Sequence, residues 1–159
     1  GVRFTMTAKK PRAGSLLRID LGDSVAGFAR VLANSQVAVY SYRQQEGERL
    51  IASAVYGSPL LWTLTVMKAA LTSGRWPVVD YMPLEFKLTE PVEYFMRDGA
   101  NGQFSIYRSD SGQTRPSTYA ECRGLEAAAV WEAEHVESRL RDYFAGRVNA
   151  WAEKLKAAP

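Results

Sequence analysis

Residues 14–32 read GSLLRIDLGDSVAGFARVL. Leu17, Ile19 and Leu21 alternate with Arg18 and Asp20, the period of a half-buried strand. The turn residues of LGDS (21–24) interrupt it, and Val25, Gly27, Ala29 and Val31 resume with period two. A second turn, ANSQ (33–36), precedes VAVYSY (37–42). Three strands in meander follow from this spacing. Gly27, inside a strand, reads as a bend or bulge. The predicted core is therefore a strongly curved antiparallel sheet or small barrel.

Downstream, QQEGER (44–49) is a polar turn, and the signals up to about residue 120 are those of strands and turns. Leu60–Leu71 is divided: Thr63, Thr65 and Val66 favour strand, whereas Met67–Leu71 favours a helical turn stopped by Gly74. Pro77 and Pro83 make residues 74–84 extended and near a sheet edge. Residues 94–109 form a hairpin with Asp98-Gly99 and Asn101-Gly102 at its tip, and 109–118 read as loop. From Leu125 the period changes. Ala129, Ala133, Val136, Leu140, Tyr143 and Phe144, then Val148, Trp151 and Leu155, recur every three or four residues. They give one long amphipathic helix, or two with a break near Gly146. A sheet followed by a helix that covers it is an α+β fold.

The 159 residues suit one domain, with 47% hydrophobic and 23% charged side chains. The net charge of +3 is unevenly placed. Arg3, Lys9, Lys10 and Arg12 stand without an acid in residues 1–12, and the rest is close to neutral. Residues 1–12 thus read as a flexible basic arm ahead of a single domain, 13–159. A broad nucleic-acid footprint needs a basic face on the fold itself, so nucleic acid is a disfavoured partner. A lone cysteine, Cys122, suits a reducing compartment and a cytoplasmic location. No apolar run reaches the roughly 20 residues of a membrane span, and residues 1–12 lack the apolar stretch of a secretory signal.

The sequence offers little chemistry. Glu132 and His135 share a helical face, but metal sites built on that spacing take further carboxylates from other helices, and none is evident here. Cys122 has no nucleophile signature around it. The glycines form no phosphate loop, and no GxSxG occurs. Neither catalytic residue, metal site nor cofactor is assigned. Tyr40, Tyr42, Tyr81, Tyr94 and Tyr107 lie on strand-like segments, where packing is the plainer role and base stacking the alternative. The tryptophans read as core, Trp131 and Trp151 on the helix and Trp62 and Trp76 in the middle segment. One asymmetry remains. Residues 80–98 carry Asp80, Glu85, Glu90, Glu93 and Asp98 against Lys87 and Arg97, and residues 126–137 carry Glu126, Glu132, Glu134 and Glu137 with no lysine or arginine. Such stretches are solvated faces or a surface for a basic partner. Asp80, Glu85, Glu90, Glu93, Asp98, Glu132 and Glu134 are the candidate partner-binding residues.

KPRAGSLLRIDLGDSVAGFARVL (10–32), followed by VAVYSY, resembles the Imm26 family of bacterial immunity proteins. The positions carrying the resemblance are Gly14, Ile19, Leu21, Gly27, Arg30, Val31 and Leu32. SGRWPVVDYMPL and ESRLRDYFAG are similar to later family blocks. The resemblance implies a non-enzymatic protein, made beside a polymorphic toxin, that binds and neutralises the cognate toxin domain. Two other readings stand beside it: a nucleic-acid-binding small β domain with a basic arm, and a small-molecule-binding or enzymatic α+β domain with a pocket between sheet and helix.

Overall fold

A computed structural model describes residues 10–159; residues 1–9, most of the expected arm, lie outside the described residues. The fold is α+β, with ten strands in two sheets and six helices among the described residues. The expected meander is present as β1 (Ser15–Asp20), β2 (Val25–Val31) and β3 (Gln36–Tyr40), all antiparallel. Its turns are tight. The Val25 N–H donates to the Gly22 carbonyl at 3.0 Å, with Asp23 and Ser24 at φ 51° and 62°. Asn34 and Ser35 repeat this at φ 59° and 58°. Two central residues in the left-handed region make type I′ turns, whose twist matches that of the strands they join.

After β4 (Gln44–Gln45), which pairs with the start of β2, the chain forms α1 (Ala52–Tyr56), a helix where strand and turn signals were read. The divided segment resolves as both of its readings: β5 (Leu60–Val66), then α2 (Lys68–Thr72). β6 (Val78–Tyr81) is an edge strand, as its flanking prolines require. The short helix α3 (Phe86–Thr89) leads to a second sheet, β7 (Glu93–Arg97), β8 (Phe104–Arg108) and β9 (Thr114–Ser117). β9 replaces part of the expected loop; Pro116 is tolerated because β9 is an edge. Then come α4 (Tyr119–Cys122), β10 (Val130–Trp131), α5 (Ala133–Ala145) and α6 (Ala150–Leu155).

The large sheet runs β10-β5-β3-β2-β1-β6 and stays open, with β10 and β6 on opposite edges. The barrel alternative is thereby corrected. One face carries Leu17, Ile19, Ala29, Val31, Val37, Val39 and Leu64 against Trp76, Trp131, Val136 and Leu140. The other carries Leu16, Phe28 and Tyr40 against Val55. β2 and β3 are therefore buried on both faces, and the half-buried pattern holds only for β1. Gly27 is not a bulge: the register runs unbroken through Ile19 and Gly27. A Cβ there would collide with the Leu140 side chain, so the glycine is what lets α5 lie on the sheet.

The C-terminal helix starts later than expected, and of its two readings the one broken near Gly146 holds. Segment 125–132 is not helical; Val130-Trp131 pairs in parallel with β5, so Trp131 belongs to a strand. α5 ends at Gly146 (φ 69°), where the Arg147 N–H reaches back to the Asp142 carbonyl at 2.8 Å. α6 starts at Asn149, whose side chain accepts from the Ala152 N–H at 2.9 Å. Past the break the apolar stripe divides: Ala152 and Leu155 still pack against the core, whereas Val148 and Trp151 are exposed.

The two sheets are joined by one extended segment. Phe95 of β7 donates its N–H to the Glu126 carbonyl (3.0 Å) and accepts from the Ala128 N–H (2.8 Å). Two residues later the same segment becomes β10 on the large sheet. Buried Tyr94 adds a hydrogen bond to Gln36 Oε1 at 2.6 Å, and burial pushes its hydroxyl pKa up to about 12.

Candidate functional site

Two of the positions that carry the sequence resemblance, Gly14 and Arg30, meet on one face of the large sheet. The Arg30 side chain has no exposed surface. It stands mid-strand on the face opposite α5, between Leu16 and Ala38. Its Nε donates to the Gly14 carbonyl (2.8 Å), Nη1 to the Tyr40 hydroxyl (3.1 Å), and Nη2 to the Met82 and Pro83 carbonyls. Glu85 completes the set at 3.3 Å, and the guanidinium lies 4.4 Å from the Tyr56 ring centroid. A buried charge needs such a saturated shell. Gly14 (φ 100°) has no room for a Cβ, which would strike the Met82 carbonyl. Ile19, Leu21, Val31 and Leu32 are core. Gly14, Gly27 and Arg30 therefore build the frame, tying β1 and β2 to the 82–85 loop and to α5.

The candidate carboxylates divide by what they touch. Asp80 accepts from the Tyr56 hydroxyl at 2.7 Å, and burial followed by this bond pushes the Tyr56 pKa well up. Glu85 belongs to the Arg30 shell. Asp98 organises its own turn, accepting from the Ala100 and Asn101 N–H groups at 2.7 and 3.1 Å. Glu93 meets Arg115 at 3.4 Å, both partly exposed. Glu90 is exposed at the end of α3 and has no ion pair among the described residues. The structure thus brings Asp80 and Glu85 together around Arg30, and places Glu93 and Asp98 on the other sheet.

The second acidic stretch divides likewise. Glu126 is held by Arg139 (2.7 and 3.1 Å), whose guanidinium sits 4.1 Å from the Trp62 ring centroid. Glu137 is buried and accepts from Arg75 Nε and Nη2 (2.7 and 2.8 Å) and from Trp76 Nε1 (2.9 Å). Burial pushes its carboxyl up, but the bonds from Arg75 and Trp76 together outweigh this and leave the pKa below the usual value. Glu134 lies 3.9 Å from Arg75 and is largely exposed. Glu132 is exposed and unpaired among the described residues. Most of the acidity visible in sequence is therefore answered by arginines distant in the chain.

The chemically suggestive residues have structural surroundings. Cys122 is fully buried with Phe95, Phe104 and Ile106 in the core of the small sheet. His135 packs its ring on Trp151, centroids 4.7 Å apart. Tyr40 and Tyr94 are buried and use their hydroxyls on Arg30 and Gln36, so neither is a stacking platform. Among the described residues no three His, Cys, Asp or Glu side chains group as metal ligands, and no helix is long and apolar enough to cross a membrane.

Sequence reasoning missed an apolar surface beside Glu132. Val130, Trp131, His135, Trp151 and Leu155 line a groove of about 220 Å³. Met67, Ala70, Ser73 and Glu134 line another of about 310 Å³, and Glu132 borders both. Val130, Met67 and Trp151 are 57%, 46% and 43% exposed. Trp151 reads as core on the helix stripe and Met67 as part of a helical turn, and neither reading gives a sign of this surface.

Comparison with known proteins adds one match. The family described as immunity protein 26 (Imm26) matches residues 12–106, a span holding Gly14, Gly27, Arg30 and Glu85. None of the curated proteins or solved structures matches.

Proposed function

This chain belongs to the immunity protein 26 family, and from that premise we propose that it neutralises a cognate bacterial toxin domain by binding it, without turnover, in the cytoplasm of the cell that makes both. The family match over residues 12–106 is the observation that carries this reading. The surroundings of Arg30 support it: the residues carrying the resemblance hold a frame together, which is what an inhibitor needs in order to present a surface. The proposed surface is carboxylate-bearing, drawn from Asp80, Glu85, Glu90, Glu93 and Asp98 or from Glu132 and Glu134. Glu90 and Glu132 lead their groups, because neither is tied to an arginine among the described residues. The described end of the expected arm packs on the fold: Lys10 and Pro11 line a pocket with Trp76 and Val78, and the Arg12 guanidinium lies 3.8 Å from the Tyr81 ring centroid.

The test is co-expression with the toxin domain encoded beside this chain, followed by titration of the purified pair. Cells should survive, the two chains should co-purify, and protection should reach completion at equimolar protein. Protection at a small fraction of the toxin concentration would mean turnover and would sink the binding-only reading.

A further inference from the structure

We propose that the toxin docks on the paired grooves around Glu132, and that the docking element is a segment with an apolar side chain flanked by a lysine or arginine. The proposal rests on the toxin-binding reading and names its site. The two grooves share Glu132 as a common wall. Backbone pairing fixes that arrangement: Trp131 accepts from the Met67 N–H at 2.9 Å, which sets Met67 beside Glu132. Val130 and Trp151 on one groove and Met67 on the other then present exposed apolar surface on either side of one carboxylate that is unpaired among the described residues. Exposed apolar surface rimmed by charge is the anatomy of an interaction site, and a tryptophan beside it supplies the kind of anchor that dominates binding energy.

Charge complementarity selects the partner. Arg75 also lines the second groove but is already neutralised by Glu137, at 2.7 Å; Lys154 sits over the Trp151 ring, 5.4 Å from its centroid, and does not line the first groove. The free charge between the grooves is that of Glu132; Glu134 lies 3.9 Å from Arg75. A cation arriving here would not displace an existing ion pair at Glu132. At Glu85 it would have to compete with Arg30, and at Glu93 with Arg115. The Glu132 surface can therefore accept a basic group at smaller cost than Glu85 or Glu93. Glu90 is also unpaired, but among the described residues it lines neither groove.

The test uses the full chain and the toxin domain encoded beside it. Glu132→Lys and Val130→Arg should each weaken binding at least tenfold. Glu132→Lys should act mainly through a slower association that converges on wild type at high salt, because screening removes steering. Glu46→Lys, a charge reversal at an exposed carboxylate outside both acidic stretches, should bind as wild type. Should Val130→Arg fail to fold, Glu132→Lys still decides, because Glu132 is exposed and makes no side-chain cap bond to α5. Amide exchange on the complex should show protection over residues 67–75 and 129–135. Wild-type binding that both variants leave intact, or protection confined to 80–98, would overturn the groove assignment while leaving the immunity reading standing. A wild-type chain that neither binds nor protects would overturn both.

Discussion

Two ion pairs clamp the two faces of the large sheet, and they are mirror images. At the 82–85 loop the arginine is the buried partner: Arg30 has no exposed surface, whereas the Glu85 side chain is 37% exposed. At the 74–76 loop the carboxylate is buried: the Glu137 side chain is 8% exposed and that of Arg75 46%. The difference lies in the neutral partners. Arg30 also donates to three carbonyls and a tyrosine hydroxyl. Glu137 has, among the described residues, only Arg75 and one indole N–H. A buried charge with many neutral partners does not depend on its counter-ion, whereas one with few does. Proximity to an opposite charge therefore says little about which residue is indispensable.

The largest effect should come from Arg30→Met. It strips the Gly14, Met82 and Pro83 carbonyls of a donor and should cost about 3–5 kcal/mol, the range for breaking a buried charged network. Urea unfolding measures it, and Arg30→Lys should not restore the loss, because an ammonium lacks the planar fork.

Next should come Arg75→Ala, at about 1–3 kcal/mol near neutral pH, since it leaves the Glu137 carboxylate buried with one donor. The sign of its pH dependence is the sharper readout. In the wild type the Glu137 pKa is depressed. Its contribution is present above the unfolded value of about 4.3 and is lost as pH falls through the folded pKa. In the variant, burial dominates and raises that pKa, so stability should instead fall as pH rises above about 4.3. Matching stability profiles for the two proteins between pH 3 and 7 would contradict this account.

Glu85→Gln should be the mildest, below about 1 kcal/mol, because its carboxylate is more than one-third exposed and Arg30 keeps its neutral acceptors. A loss as large as that of Arg75→Ala would remove the contrast between the two pairs.

The meander was legible because each of its signals agreed with the fold. Leu17, Ile19, Gly27, Ala29 and Val31 share the face that meets α5, and the turns fell at Asp23-Ser24 and Asn34-Ser35. The β5–α2 change and the stop at Gly146 were legible for the same reason. The elements missed are short: α1, β9 and β10 have two to five residues, too few to show a period, and tertiary pairing fixes them. The site was harder still. A glutamate's charge is visible in sequence, but its answering arginine lies 22 residues away for Glu93, 55 for Glu85 and 62 for Glu137. What remains free after those pairings is known only once the chain has folded.

The segment from Glu126 to Trp131 bears on the order of folding. The β1–β2–β3 meander closes through turns of two residues and has little chain entropy to overcome. The segment instead pairs in parallel with Phe95 and then with Thr65, closing spans of about 30 and about 65 residues. Contacts that distant in sequence form slowly. The meander should therefore nucleate, and the strap between the sheets should fasten late, completing the Glu132 surface last of all. A chain emerging from the ribosome would hold its frame before it held its proposed docking face, since β10 and α5 follow the β1–β3 meander far along the chain.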